Sequence, residues 1–196
     1  MFSDVQVYDW FYQDIGFAYT KGLFMGMADG SFGPNDPMTR AMAVVVFYRA
    51  HGSPDISGMS NRFYDVSEDD YYYAAVVWAS NKGIVQGNAD GGFSPDEFVT
   101  RQQLAAILYR YSAFCGIPFP RDELEETPGL LYLSLDAMFP DAGKLFEYAW
   151  APVRALAKKG IMVGDLAGLF NPDDYATRAQ TAAILRRYYE LPELNP

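Results

Sequence analysis

Histidine and cysteine each occur once in this chain, as His51 and Cys115. A lone cysteine excludes an internal disulfide framework and any zinc site built from several thiolates, and such a residue is most often a small core side chain. His51 lies between repeated segments, Cys115 has no partner at sequence level, and paired carboxylates in so acidic a chain carry little information. No nucleophile, general base or phosphate loop is evident, so neither enzymatic activity nor a cofactor is expected. Basic residues are scarce as well: 15 Lys and Arg against 25 Asp and Glu leave a net charge of -10. That balance argues against a nucleic-acid partner, because a phosphate backbone needs a basic surface. An anionic ligand would have to be met by local positive charge. Long apolar runs are missing too. Ala41 to Tyr48 covers only 8 residues, far short of a membrane span, so no membrane insertion is expected. Met1-Phe2-Ser3-Asp4 lacks the charged and then apolar pattern of a signal peptide, so an extracellular protein would be represented here by a mature or excised fragment.

What the chain does have is internal repetition. Gly83 to Arg110 reads GIVQGNADGGFSPDEFVTRQQLAAILYR, Gly22 to Arg49 aligns with it without gaps at an offset of 61, and Gly160 to Arg187 at 77. Gly22, Gly26, Gly30, Phe32, Pro34, Thr39, Arg40 and Arg49 recur as Gly83, Gly87, Gly91, Phe93, Pro95, Thr100, Arg101 and Arg110. The third set is Gly160, Gly164, Gly168, Phe170, Pro172, Thr177, Arg178 and Arg187. One such repeat rarely buries its apolar face alone, and stacked copies share a core. With 196 residues, half of them apolar, one domain or two small ones can be supported. The repeats occupy residues 1–49, 63–110 and 139–190, joined by linkers at 50–62 and 111–138, and together form one compact domain.

Each copy opens with Phe-x-Asp, at Phe2-Ser3-Asp4, Phe63-Tyr64-Asp65 and Phe139-Pro140-Asp141. An aromatic follows, Trp10, Tyr71 or Tyr148, twelve residues before the first glycine. Tyr71 to Lys82 has helical apolar spacing, acids before it and Gly83 where a left-handed stop belongs, which predicts a first helix per copy. Gly83 to Val99 reads as an ordered loop with a short strand or turn at Gly91-Gly92-Phe93, and Phe93 and its equivalents plug the core. A second helix begins behind Thr100, where Thr-x-x-Gln predicts a capping box repeated at Thr177 and Gln180; Met42 replaces the glutamine in the first copy. Being apolar on nearly all sides, the second helices should lie deeper than the first. The acidic stretch Arg121 to Glu126 suggests a short helix before a turn at Pro128-Gly129, and the tail beyond Tyr189 is expected to fray.

Arg40, Arg101 and Arg178 follow the N-cap threonines Thr39, Thr100 and Thr177. A cation there opposes the helix dipole, at a cost of roughly 0.3–1 kcal/mol when exposed. Helix stability does not explain it three times. One explanation is ligand contact, since helix N-termini bind anions through free N–H groups and a guanidinium grips a carboxylate or phosphate in bidentate fashion. The other is a brace to an acid of a neighbouring repeat, such as the Phe-x-Asp aspartate. On the first, Arg101→Ala weakens binding at little cost in stability; on the second, the reverse. Trp10, Tyr71 and Tyr148 either stack on sugar rings or pack in the core. Gly26, Gly87 and Gly164 either shape a turn or let a ligand approach the backbone. Asn88-Ala-Asp90-Gly91 faintly resembles part of a calcium loop, but the third copy loses the aspartate and none carries the closing glutamate, so no metal site is expected.

Phe-x-Asp-Val, the aromatic, Gly-Ile-Val-x-Gly, Asp-Gly-x-Phe-x-Pro and Val-Thr-Arg before an apolar helix together resemble the S-layer homology (SLH) module, in three copies over nearly the whole chain. The resemblance implies an all-α fold, a pseudo-threefold spindle with the Thr-Arg helices in a central bundle and grooves between repeats. It also implies noncovalent anchoring of extracellular proteins at the cell wall or S-layer surface, through secondary cell-wall polysaccharide carrying ketal-linked pyruvate, with peptidoglycan as a further partner. The chain would then be fused to, or excised from, a larger surface protein. Arg40, Arg101 and Arg178 would meet the pyruvate carboxylate, and Trp10, Tyr71 and Tyr148 would line the grooves. The family's common acid after Thr-Arg-Ala is Met42, Gln103 and Gln180 here. The alternatives are a self-assembling array module with the arginines as braces, a targeting portion of a hydrolase, and a calcium-dependent module.

Overall fold

A computed structural model describes residues 2–117, 119 and 128–194. Among them lie seven α-helices: α1 (Tyr12–Thr20), α2 (Arg40–Ala50), α3 (Tyr73–Asn81), α4 (Arg101–Phe114), α5 (Pro128–Met138), α6 (Glu147–Lys158) and α7 (Arg178–Tyr189). The described residues contain no strand, only isolated bridges, so the protein is mostly helical, as expected. Two compact units are formed, and they cut across the repeat boundaries. One is Met1–Val99 with Ala176–Pro196 and the other Thr100–Tyr175.

In the larger unit α1 packs on α7 and α2 on α3; in the smaller, α4 and α5 pack on α6. The second helix of each copy therefore lies against the first helix of another copy. Each first helix ends as the sequence predicts, with Gly22, Gly83 and Gly160 at φ of 70°, 72° and 68°, a conformation open to glycine without a Cβ penalty. The expected capping boxes are present at Thr100 with Gln103 and at Thr177 with Gln180. Thr39 accepts from the Met42 amide alone. The depth expectation holds only in part. α7 buries eight of its twelve residues and α1 two of nine, but α3 buries six of nine, the continuous run from Ala75 to Ser80.

The loops are ordered by one device repeated three times. The Asp65 carboxylate accepts from the backbone N–H of Phe93 (2.7 Å) and of Ser94 (2.7 Å). Asp4 does the same for Phe32 and Gly33, and Asp141 for Phe170 and Asn171. The residue after each phenylalanine has positive φ, at Gly33 (69°), Ser94 (55°) and Asn171 (56°), a strained choice for a side chain that the charged acceptor offsets. Phe32, Phe93 and Phe170 are 0 % exposed, confirming them as core plugs. The rings of Phe2, Phe63 and Phe139 lie 5.2, 5.4 and 5.2 Å from them. A tight turn stands at Gly91, whose N–H reaches the Asn88 carbonyl at 3.1 Å, and no short strand forms there.

Two expectations need correction. Pro128-Gly129 is not a turn but the first turn of α5, where proline's missing N–H is no loss and its fixed φ is already helical. Leu131 and Leu135, one turn apart, bury that helix. α4 also runs to Phe114, so residues 111–114 and 128–138 at the two ends of the 111–138 linker are helical. The tail does not fray as far as Leu194: Leu191 is buried and Pro192–Leu194 forms a 3-10 turn. The acidic segment 121–126 lies outside the described residues. Asp65→Ala should destabilise the fold by about 2–4 kcal/mol in urea denaturation, since two amides lose a charged acceptor. Ser94→Gly, which imports the first copy's residue, should be neutral or slightly stabilising in the same assay.

Candidate functional site

The three arginines occupy one geometry. Arg40 donates Nε to the Phe93 carbonyl (2.9 Å) and Nη2 to the Gln86 carbonyl (3.2 Å). Arg101 does so to Phe170 (2.8 Å) and Val163 (2.9 Å), and Arg178 to Phe32 (2.7 Å) and Met25 (2.8 Å). Each guanidinium also lies over the ring whose carbonyl it holds, at 4.8, 5.0 and 4.5 Å. The first copy thus grips the second, the second the third, and the third the first, each grip lying within one unit. Bracing is observed, but through carbonyls. The Phe-x-Asp aspartate is engaged by its own loop instead.

The helix N-termini are closed as well. Arg40 and Ala41 donate their N–H groups to the carbonyls of Glu97 and Pro95, Arg101 and Gln102 to Asp174 and Pro172, Arg178 and Ala179 to Asp36 and Pro34. The third amide goes to Thr39, Thr100 or Thr177. Free N–H groups for an anion, expected from the position alone, are therefore absent at these three starts. An anion has to be met by side chains.

Such a place exists in the larger unit. Arg178, Arg49 and Tyr71 line a cavity of about 290 Å³ with Phe24, Met25, Met38, Met42, Val45 and Val46. Arg178 is 8 % exposed, and burial lowers its pKa from the ordinary arginine value, an effect that Asp36 and Asp4 oppose and Arg49 reinforces. The Tyr71 hydroxyl is raised, chiefly by burial and then by Asp96, while Arg49 and Arg178 pull it the other way. Among the described residues neither Arg49 nor Arg178 forms an ion pair; Arg49 makes one long bond, to the Leu23 carbonyl at 3.3 Å. The result is a partly desolvated cleft in which two guanidiniums stand beside an apolar wall, with Asp36, Asp4 and Asp96 within electrostatic reach.

The structure brings Arg178 and Tyr71 together in one cleft, with Thr39 close enough to the Tyr71 hydroxyl to help pull its pKa down. Trp10, Tyr71 and Tyr148 are 63, 68 and 48 % exposed, which is not core packing. Trp10 and Tyr71 stand edge-on to Phe11 and Tyr72, whereas Tyr148 stacks with Phe146 at 6.1 Å. Gly26 and Gly87 give room to the Phe2 and Phe63 rings, 2.3 and 2.4 Å from where a Cβ would lie, and Gly164 to the Gly168 backbone. Gly26 also borders a second cavity of about 480 Å³ with Phe2, Tyr19, Gly22, Phe24, Met25 and Met27. Repeat alignment singled out Arg49 as recurrent without giving it a role. Its place nine residues beyond Arg40 on the same helix was the available signal.

A family model described as S-layer homology domain matches residues 2–43, 62–105 and 139–182. Over 175 residues, 87 % of this chain and 36 % of the relative, the sequence is 26 % identical to the cellulosome-anchoring protein of Acetivibrio thermocellus. It is 27 % identical over 98 % of its length to 20 % of the S-layer protein of Bacillus licheniformis. An amylopullulanase of Thermoanaerobacterium thermosulfurigenes is 28 % identical over 94 % of this chain and 9 % of its own. The chain thus spans only 9 to 36 % of these relatives. Arg101→Ala removes two charge-assisted bonds and a cation–π contact, so it should cost about 2–4 kcal/mol in chemical denaturation, with Arg101→Lys recovering little because a point charge cannot hold both carbonyls.

Proposed function

The chain belongs to the S-layer homology domain family, and on that premise we propose that it anchors a larger protein to the bacterial cell surface by binding an anionic, pyruvylated secondary cell-wall polysaccharide. The observation that carries this reading is the cleft of Arg178 and Tyr71, which joins a buried cation, without an ion pair among the described residues, to an exposed aromatic face. A carboxylate would meet the guanidinium and a sugar ring would lie on the phenol ring. Capture of this kind is local. The excess of acid elsewhere acts through screened, long-range repulsion, which falls off over roughly 8 Å at physiological salt.

Relatives named for anchoring and for the S-layer support the surface location, and a segment similar to 94 % of this chain also occurs in an amylopullulanase. A segment shared by proteins of such different names fits attachment better than catalysis. Trp10 and Tyr148, exposed like Tyr71, and Arg40 and Arg101, held like Arg178, belong to the same proposal as further ligand contacts, with Thr39, Thr100 and Thr177 fixing the arginines at their helix starts.

The test is co-sedimentation with Gram-positive wall sacculi, native or stripped of secondary polymer, from strains with and without pyruvylation. The chain should pellet with native pyruvylated walls and stay in solution with the other two. Equal pelleting with stripped walls would overturn the reading in favour of peptidoglycan, and concentration-dependent association without any wall would favour self-assembly.

A further inference from the structure

One buried glutamine sets the second copy apart. Gln102 stands one residue after Arg101, where the other copies have Ala41 and Ala179, and it is 1 % exposed. Burying an amide is costly unless both its ends are bonded, and here both are. Oε1 accepts from the Phe146 N–H (3.0 Å) and Nε2 donates to the Asp173 carboxylate (2.8 Å). The matching change lies in the third copy. The opening loops of the first two copies are closed from within, Asp9 accepting from the Gln6 N–H and Asp70 from that of Ser67. The third loop is one residue longer and has Glu147 in place of that aspartate, and Gln102 supplies an acceptor from another copy. Phe146 is thereby fixed just before α6 with 62 % exposure, its ring parallel to that of Tyr148 within 12° and 6.1 Å from it. Core packing does not explain a pinned, solvent-facing phenylalanine.

We infer that Phe146 is a second aromatic ligand contact, forming with Tyr148 one two-ring face that receives an uncharged sugar ring, and that Gln102 is the positioning residue that holds this face in place. The inference rests on the anchoring reading above, which already assigns Tyr148 to the ligand, and it adds the kind of sugar met there. An offset, near-parallel pair presents a flat apolar surface wider than one ring, which suits the C–H face of a pyranose. The charges around it do not suit an anion. Asp141, Lys144 and Glu147 lie in or beside the loop, Asp173 is at the far end of Gln102, and the neighbouring Arg101 is turned to the Phe170 and Val163 carbonyls. Together they carry no excess of positive charge. Tyr8 and Asp69 stand at the position of Phe146 in the other copies, where Ala179 and Ala41 take the place of Gln102.

The experiment uses the full chain, 15N-labelled, and secondary polymer released from pyruvylated Gram-positive walls, tested before and after mild acid removes the pyruvate. The amide signals of Phe146, Glu147 and Tyr148 should shift with both polymers, because the face reads an uncharged ring. Phe146→Leu, apolar but not flat, should weaken binding of the acid-treated polymer by about fivefold, whereas Phe146→Tyr should match the parent, with the melting temperature unchanged in both. Gln102→Ala should weaken it as well, with the Phe146 amide signal displaced before any polymer is added. Binding of Phe146→Leu equal to the parent, or signals at Phe146 and Tyr148 that stay fixed while others move, would overturn the inference and leave the anchoring reading standing. Weakening in Phe146→Leu with a lowered melting temperature would make the residue structural and overturn it too. A response at these signals to the pyruvylated polymer alone would assign the face to an anion, against the inference. No shift anywhere with either polymer would sink both this inference and the anchoring reading.

Discussion

Everything in this fold leans on how one phenylalanine per loop is held. The N–H of Phe93 is taken by Asp65, its carbonyl by Arg40, and its ring lies buried beneath the same guanidinium. Phe32 and Phe170 are held alike. The aspartate comes from the start of the same copy and the arginine from a different one, so a single residue joins the loop to its own repeat and to its neighbour. The energy balance is clear in sign. A cation in the first helical turn costs roughly 0.3–1 kcal/mol against the dipole, whereas each hydrogen bond from a charged donor contributes about 1.5–3 kcal/mol.

That arrangement also explains why no copy is a self-contained body. Helix α4, from the second copy, packs on α6 of the third, and α7 of the third packs on α1 of the first. The amides at the start of α2, α4 and α7 are satisfied by loop carbonyls of another copy rather than by solvent. An isolated repeat would leave those amides and the opposing apolar faces without partners, which is the physical content of the rule that repeats of this size come in sets.

Much of this was legible in the sequence. Thr100-x-x-Gln103 and Gly83 marked a helix start and a helix stop correctly because both depend on chemistry within a few residues. Pro128 was misread because its preference for turns and for a first helical position are equally local, and only the burial of Leu131 and Leu135 decides between them. The arginines were flagged as anomalous, which they are, but their partners are carbonyls 46 to 153 residues away. No local pattern names a backbone acceptor. The Phe-x-Asp clamp was visible as a recurrence whose purpose depended on the same long-range geometry. Arg49 was hidden for a different reason, since what distinguishes it is the cleft, not the motif.

The two early readings of the arginines, brace and ligand contact, turn out not to compete for the same atoms. In Arg178 the brace uses Nε and Nη2, and Nη1 has no hydrogen bond among the described residues. A guanidinium offers five N–H donors in a fixed plane, so fixing one edge to carbonyls orients the other without exhausting it. The brace immobilises the side chain during folding, and a ligand meeting the remaining edge has no rotamer entropy to overcome there. A lysine could not divide its donors in this way, because its ammonium carries no fixed plane. A structural arginine that also served as a binding group would therefore be preorganised at no added conformational cost.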